Sequence, residues 1–166
     1  MRQIKQITLT LAALLLCALQ ANAQTARVAD RELIGAWTLE WLQYDGEKKI
    51  MGGKTTGYTQ FKYYGPDGEY ACAEIVLTRD GVVVVMPHEY GTYTFKNGVY
   101  SEMGRPASEL KMTDKTHFRG RWKNRSDSWV KQPQMPEKVV RYIVDYCKLK
   151  KTPADIQQLI KQSMFK

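Results

Sequence analysis

The sequence has 166 residues, of which 25 are lysine or arginine and 17 are aspartate or glutamate, so its formal net charge is +8. This length supports one domain with a sizeable core and is too short for two. The basic residues are scattered without a long run, a pattern that favours solubility over a nucleic-acid surface. We therefore expect a single domain with no nucleic-acid partner.

The first 23 residues have the features of a secretory signal peptide in the expected order. Arg2 and Lys5 give a positive start, residues 7–19 form an apolar run, and Ala21-Asn22-Ala23 is a small-x-small cleavage site. We predict cleavage before Gln24 and a periplasmic or secreted mature protein. Cleavage removes both of those basic residues, so the net charge of the mature chain falls to about +6.

Two other fates of this segment fit its residues less well. A membrane anchor needs about 20 consecutive apolar residues, and the run at 7–19 is shorter and is followed by polar Gln20. Lipid attachment at Cys17 needs small residues just before the cysteine, where Leu15-Leu16 stands instead. We expect no lipid anchor and no transmembrane segment in the mature chain.

Residues 33–132, which follow a short linker at 24–32, carry an antiparallel β pattern. Short segments rich in β-branched and aromatic residues alternate with Gly, Asp and Asn at turn positions. Two of the expected strands, 82–86 and 91–95, flank a segment that we interpret as a loop containing His88. About eight strands at this spacing indicate a barrel or a sandwich.

The pattern changes after Pro136, where the apolar spacing becomes that of a helix. The apolar residues that define one helical face are Val139, Val140, Ile143, Val144 and Cys147. A second short helix is expected to begin at Thr152, whose hydroxyl can cap it. These helices form a C-terminal segment, 136–166, that we expect to pack on the sheet. The alternative is that they contact a partner protein.

Cleavage of the signal peptide would leave Cys72 and Cys147 as the two cysteines of the mature chain. Two cysteines in an exported protein permit one disulfide and do not require it. Two buried free thiols explain the same residues equally well.

Leu33-Ile34-Gly35-Ala36-Trp37 resembles the Gly-x-Trp opening of the first strand in lipocalin-like, or calycin, barrels. Residues 61–68, Gly91-Thr92-Tyr93 and Trp129 resemble a group of small exported lipocalin-like domains of uncharacterised function from gut Bacteroidetes. The resemblance spans residues 33–132. It implies an antiparallel up-and-down barrel of about eight strands, with one or two helices after it.

In these barrels an arginine of the last strand usually lies across the tryptophan of the first strand. Here Lys131 follows the last tryptophan, and we expect Arg119 or Arg121 to take the role of that arginine. The residues expected at the base of the barrel are Gly35, Trp37, Arg121 and Trp129.

A barrel of about eight strands has room inside for packed side chains or for one small ligand. If Trp37 points inward, alternation along the strand places Leu39 and Trp41 on the same face. The residues expected to line a ligand cup are Trp41, Tyr63, Tyr93, Phe118 and Arg119. The alternative is that these side chains simply fill the core.

The sequence offers little for catalysis. Its two histidines, His88 and His117, stand apart, and it has no zinc-type spacing of His and Cys and no Gly-x-Ser-x-Gly motif. We expect no metal, no cofactor and no catalytic residue.

Three classes of function therefore remain. The favoured one, which rests on the family resemblance, is an exported, non-catalytic module that holds a small, mainly apolar or amphipathic ligand in a barrel cup. The first alternative is a filled barrel that binds another protein or a second copy of itself. An enzyme that uses a cleft with a histidine and a carboxylate is the least favoured alternative.

Overall fold

The computed structural model describes residues 31–96, 99–104, 109–149 and 157–165. The predicted signal peptide (1–23), the cleavage site before Gln24, most of the linker and the helix start at Thr152 lie outside these residues. The strands of the described chain are β1 (Gly35–Tyr44), β2 (Ile50–Met51), β3 (Tyr58–Tyr64), β4 (Glu69–Leu77), β5 (Val83–Lys96), β6 (Val99–Glu102), β7 (Glu109–Met112), β8 (His117–Trp122) and β9 (Arg125–Lys131). Two helices follow, α1 (Glu137–Leu149) and α2 (Gln157–Met164).

Eight of these strands form a nearly closed antiparallel barrel, and β2 pairs only with β1. Apart from β2, consecutive strands lie side by side, and β9 returns to pair with β1, so the order is up-and-down. The seam of the barrel lies between β6 and β7, which approach each other but share no ladder in the described part of the chain. The predicted fold, a mainly β up-and-down barrel with C-terminal helices, is confirmed.

The wall of the barrel carries buried apolar side chains on both of its faces. The inner face supplies an aromatic cluster that includes Trp37, Tyr64 and Trp129. The outer face, with Phe61 of β3 among its residues, packs against Ile143 and other buried residues of the two helices. The molecule therefore has two hydrophobic cores, one inside the barrel and one between the barrel and the helices.

Helix α1 begins just after Pro136, whose carbonyl accepts hydrogen bonds from the amides of Val139 and Val140. Proline suits the first turn of a helix because it has no amide hydrogen to satisfy there. All five residues of the predicted helical face are buried, namely Val139, Val140, Ile143, Val144 and Cys147. The 3.6-residue period of the sequence thus identified the face that covers the barrel.

A helical turn at residues 31–33 closes one end of the barrel. Trp37 Nε1 donates a hydrogen bond to the Leu33 carbonyl at 2.8 Å, and Lys131 Nζ donates to the Glu32 carbonyl at 2.5 Å. Gly35 connects this turn to β1 with a φ of +131°, and a Cβ there would lie 3.1 Å from Lys131 Cε. Glycine tolerates both the positive φ and the close contact.

Strand β5 corrects an expectation from the sequence. Separate strands at 82–86 and 91–95 with His88 in a loop were predicted, whereas β5 runs unbroken through Pro87 and His88. Proline cannot donate to a ladder and is found in sheets at edges or bulges. The register of β5 against β4 skips His88, so this residue is the extra one of a β-bulge.

A second bulge falls in β1. The register of β1 against β9 shifts between Leu39 and Trp41, which leaves Glu40 as the extra residue. The bulge shifts the alternation by one residue, so the inner face continues from Trp37 and Leu39 to Leu42, and Trp41 lies outside. The expectation that Trp37, Leu39 and Trp41 share one face is wrong.

Candidate functional site

A cavity of about 510 Å³ occupies the half of the barrel where β1 ends and β9 begins, and it opens to solvent there. We call this cavity the cup. Its lining combines three cations, three carboxylates and several aromatic rings. The charged residues are Lys62, Arg121, Arg125, Glu89, Glu102 and Asp127, and the rings include Tyr70, Tyr100, Phe118 and Trp122.

Aromatic rings form the floor of the cup. The ring centroid of Phe118 lies 4.7 Å from that of Trp37 and 5.8 Å from that of Trp129. Tyr64 packs edge-on against Tyr93, with 5.0 Å between the centroids. These five side chains are buried. The half of the barrel where β1 begins, which we call the lower half, is therefore filled, and the upper half, where β1 ends, holds the open cup.

An ion pair between Lys62 and Glu102 lies just above this floor. Lys62 Nζ donates a hydrogen bond to Glu102 Oε1 at 3.0 Å, and the two side chains are 11% and 20% exposed. The Tyr100 hydroxyl donates to the same carboxylate oxygen and lies 3.0 Å from the Tyr64 hydroxyl. The Lys62 ammonium also lies over the Trp129 ring, 4.9 Å from its centroid. These contacts supply the hydrogen bonds that a largely buried ion pair requires.

Both ions of this pair are charged at neutral pH. Burial lowers the pKa of Lys62, but the carboxylates of Glu102 and Asp127 outweigh it and raise this pKa well above the ordinary 10.5. Burial raises the pKa of Glu102, but Lys62 and the Tyr100 hydrogen bond outweigh it and bring this pKa below the ordinary 4.5. Burial also raises the pKa of the Tyr64 and Tyr100 hydroxyls far above their usual range, so both stay protonated.

A second ion pair, Arg125 with Asp127, faces the cup from β9. Arg125 Nη2 donates to Asp127 Oδ2 at 3.0 Å, and Trp129 Nε1 donates to Asp127 Oδ1 at 2.8 Å. These three residues alternate along β9, so their side chains share the inner face. Gly120 of β8 leaves room for the carboxylate, because a Cβ there would collide with Asp127 Oδ1.

Polar side chains surround the mouth of the cup. The Tyr58 hydroxyl donates to Glu74 Oε1 at 3.1 Å and accepts from Gln60 Nε2 at 2.7 Å. His88 Nε2 lies 3.5 Å from Glu74 Oε2. Together these side chains form a hydrogen-bonding edge between the deep charges and the solvent.

Three of the five residues predicted to line a cup face outward. Trp41 and Arg119 lie on the outside of the barrel, where the guanidinium carbon is 6.0 Å from the centroid of the indole ring. Tyr63 also faces outward, and its hydroxyl accepts a hydrogen bond from Arg141 of α1 at 3.0 Å. Trp41 is displaced by the bulge at Glu40, and Tyr63 is on the outer face because the residues beside it on β3 point inward.

The other two predicted residues point into the barrel. Phe118 lines the cup, and Tyr93 lies in the floor, where its hydroxyl donates to the Gly65 carbonyl at 2.9 Å. A role for Phe118 in contacting a ligand stays a prediction.

At the base of the barrel, Lys131 lies over Trp37, with Nζ 5.3 Å from the ring centroid. Arg121 lies instead at the mouth of the cup, where its guanidinium is 3.0 Å from the Asp45 carboxylate. The expectation that Arg119 or Arg121 replaces the family's arginine is therefore wrong. The lysine that follows the last tryptophan supplies the cation itself.

Cys72 and Cys147 are free thiols on opposite sides of the barrel wall. Cys72 lines the cup, whereas Cys147 lies in the outer core and its Sγ donates to the Cys72 carbonyl at 3.4 Å. A disulfide needs two side chains that point toward each other, and here the backbone of β4 separates them. Burial raises the pKa of Cys72 to about 11 and that of Cys147 to about 12, which keeps both thiols unreactive.

Sequence reasoning did not identify the ion pairs of the cup, because charged residues in strands are ordinarily assigned to the solvent side. A signal was present in β3, where Gln60, Lys62 and Tyr64 alternate with Phe61 and Tyr63. All five are buried. Alternation shows that the two faces differ, but it does not show which of them is inside the barrel.

His117, the second histidine, lies on the outside of the barrel, with Nδ1 3.0 Å from Asp114 Oδ1. The described residues contain no group of three or more His, Cys, Asp or Glu side chains placed to hold a metal ion. Within the same residues, neither helix has both the length and the apolar character that crossing a bilayer requires.

The strand order is that of an eight-stranded up-and-down barrel, the architecture that lipocalin-like proteins have. Among solved structures, the chain is similar to a lipocalin-like protein from Bacteroides uniformis ATCC 8492. The two are 16% identical, the match covers 60% of this chain and 98% of that one, and the TM-score is 0.41. No protein-family model and no curated protein matches the sequence. The assignment of the fold therefore rests on the strand order of this chain.

Proposed function

We propose that this chain is an exported, non-catalytic binding module that holds one small polar ligand in the cup. The proposal is carried by a cavity of about 510 Å³, open at one end, whose wall combines fixed charges with aromatic rings. Ligand sites typically pair apolar contact surface with a few well-placed polar groups that fix orientation. Export is part of the proposal and is supported by the signal-peptide features of residues 1–23.

The charges of the cup favour a neutral or zwitterionic ligand. Each of its three cations already lies 3.0 Å from a carboxylate, in the pairs Lys62–Glu102, Arg125–Asp127 and Arg121–Asp45. An anionic ligand would have to compete with a carboxylate that is already in place. Hydroxyl or amide groups can instead hydrogen-bond to both members of a pair without separating them.

The sequence favoured a mainly apolar or amphipathic ligand, and a ligand with no polar group at all would fit this wall poorly. It would take water from Lys62 and Glu102 without replacing the lost hydrogen bonds, and such desolvation is costly. The rings of Tyr70 and Trp122 still offer flat surfaces for the apolar faces of a polar ring. We therefore place a compact, hydroxyl- or amide-bearing group in the cup.

Catalysis by His88 is not part of the proposal. A general base must lie within hydrogen-bond reach of the proton that it takes. His88 Nε2 lies 3.5 Å from a carboxylate oxygen of Glu74, and this carboxylate is already hydrogen-bonded to Tyr58 and Gln60. We therefore interpret His88 and Glu74 as polar groups at the mouth of the cup and not as a catalytic pair.

The test is native mass spectrometry of the full chain expressed in an exporting bacterial host and purified gently from the exported fraction. Leu110 lines the cup, and Lys111 beside it on β7 is exposed. Leu110→Trp would place a large ring in the cup, and Lys111→Trp adds the same ring outside as a matched control. We expect a small polar molecule on the wild type and on Lys111→Trp, and its loss from Leu110→Trp.

Equal retention of the molecule by the two variants would contradict the proposal, because the molecule would then lie outside the cup. Export is checked in the same culture by comparing the exported fraction with the cytoplasmic fraction. A mature mass that begins at Gln24 supports it, and an uncleaved chain in the cytoplasmic fraction contradicts it.

A further inference from the structure

The hairpin of β4 and β5 has one covered face and one open face. Val82 and the first four residues of β5, 83–86, form a run of five consecutive apolar residues. Val83 and Val85 are buried in the core beneath the helices, whereas Val84 and Met86 are each 39% exposed. A continuous apolar run is typical of a strand that is covered on both faces. The sequence of β5 is therefore typical of a strand that is covered on both faces, whereas in the structure only the face toward the helices is covered.

The open face is a continuation of the inner wall of the barrel. Val84 pairs with Val76, and Val76 pairs with Tyr58, so these three residues form a row across three strands. Met86 pairs with Glu74 at the mouth of the cup. Directly opposite residues share a face of a sheet. We call the surface formed by Tyr58, Val76, Val84 and Met86 the ledge.

We infer that the ligand is amphipathic, with its polar part in the cup and an apolar chain lying on the ledge. The inference rests on the proposed function and narrows it to a class of ligand. Cup and ledge are continuous, because Met86 of the ledge is followed by Pro87, His88 and Glu89 of the cup lining. A chain that lies on the ledge removes apolar surface from water, which favours binding.

Tyr58 marks the boundary between the two surfaces. Its ring belongs to the ledge, and its hydroxyl hydrogen-bonds to Glu74 at 3.1 Å and to Gln60 at 2.7 Å at the mouth of the cup. A tyrosine suits such a boundary because its body is apolar and its tip is polar. Val84 and Met86 are roughly 7 Å apart along β5, and the row from Val84 to Tyr58 crosses roughly 10 Å of sheet. These dimensions are enough for a chain of several methylene groups.

The test uses isothermal titration calorimetry of the mature protein with maltose and with hexyl, octyl and decyl maltoside, each below its micelle concentration. Full burial of one methylene would strengthen binding about fourfold. A chain on an open ledge buries about half of its surface, so we expect about twofold per methylene. Alkylphosphocholines and alkyl sulfates of the same chain lengths test a zwitterionic and an anionic head.

A double variant, Val84→Thr with Met86→Gln, makes the ledge polar at nearly constant volume. Val99→Thr is the matched control, because Val99 is 59% exposed on β6 and is not part of the ledge. The ledge variant is expected to lose most of the dependence on chain length while its affinity for maltose stays within about twofold of the wild type. The control is expected to behave as the wild type does.

Four results would overturn the inference. Binding of the polar heads with no gain from longer chains would leave the proposed function intact and remove the ledge from it. An undiminished chain-length gain in the ledge variant would place the chain elsewhere. A dimer of the wild type that the ledge variant abolishes would show that a second copy covers this face. Failure of maltose and of all three alkyl series to bind would overturn the proposed function as well.

Discussion

The two faces of the barrel wall differ in chemistry although they are built from the same strands. On the outer face, Phe61 belongs to the same apolar layer as Ile143 of α1, between the barrel and the helices. On the inner face, the next residue, Lys62, forms a largely buried ion pair with Glu102. The interior of a small barrel often serves as its main hydrophobic core. Here the helices provide a second core outside, which allows the upper half of the interior to remain polar and open.

The largest expected effect comes from breaking the outer layer. Ile143→Ala removes a fully buried side chain of α1 and leaves a cavity, so the free energy of unfolding should fall by about 2–5 kcal/mol. Urea denaturation measures this loss. Asp145→Ala, at an exposed position of the same helix, is the control and should change stability by less than about 0.5 kcal/mol. Equal effects of the two variants would mean that the outer layer does not stabilise the barrel.

The next effect concerns the ion pair on the inner face. Glu102→Leu leaves the Lys62 ammonium without its carboxylate, and we expect a loss of about 2 kcal/mol, below the range for fully buried pairs because the cup admits solvent. The double variant Lys62→Met with Glu102→Leu removes both charges and should recover most of that loss. A double-mutant cycle measures the coupling. Simple additivity of the two single variants would show that the pair is not coupled.

The same pair predicts how stability responds to acid. The pKa of Glu102 in the folded protein is below the ordinary 4.5. As the pH falls, this carboxylate is therefore protonated in the unfolded chain before it is protonated in the folded protein. The stability that Glu102 contributes is fully present above about pH 4.5 and is lost as the pH falls through the folded pKa. Urea midpoints between about pH 6 and pH 3 should therefore fall more for the wild type than for Glu102→Gln. Parallel pH profiles would contradict this assignment.

The smallest effect is expected at the base of the barrel, where the two faces meet the closing turn. Lys131→Met removes the ammonium that lies 5.3 Å from the Trp37 ring centroid and should cost about 1 kcal/mol in unfolding free energy. Lys131→Arg restores a cation over the ring and should recover at least half of that loss. If arginine proves as destabilising as methionine, the hydrogen bond of Lys131 to the Glu32 carbonyl matters more than its contact with the ring.

Local sequence signals predicted the barrel and the helices well. The up-and-down order depends on short turns between neighbouring strands, and those turns have recognisable residues such as Gly65-Pro66-Asp67-Gly68. Helix α1 depends on the spacing of residues such as Val139 and Ile143, which is a property of one segment alone.

The cup could not be predicted in the same way, because it depends on two single-residue insertions and on pairing between distant strands. The bulge at Glu40 turns Trp41 outward, and nothing local to the sequence marks Glu40 as the extra residue. The pairing of Lys62 with Glu102 joins residues 40 positions apart. An isolated lysine in a strand therefore gave no indication of a buried partner.

The seam between β6 and β7 determines where this barrel can be cut. Because β9 closes on β1, the seam falls in the middle of the chain, and a break there would interrupt no ladder of the described residues. The two pieces, β1 to β6 and β7 to the end, would be joined by the seven residue pairs of β1 with β9 and by α1 against β4 and β5. The residues that line the cup come from both pieces. Two separately produced fragments would therefore form the complete cup only when they associate.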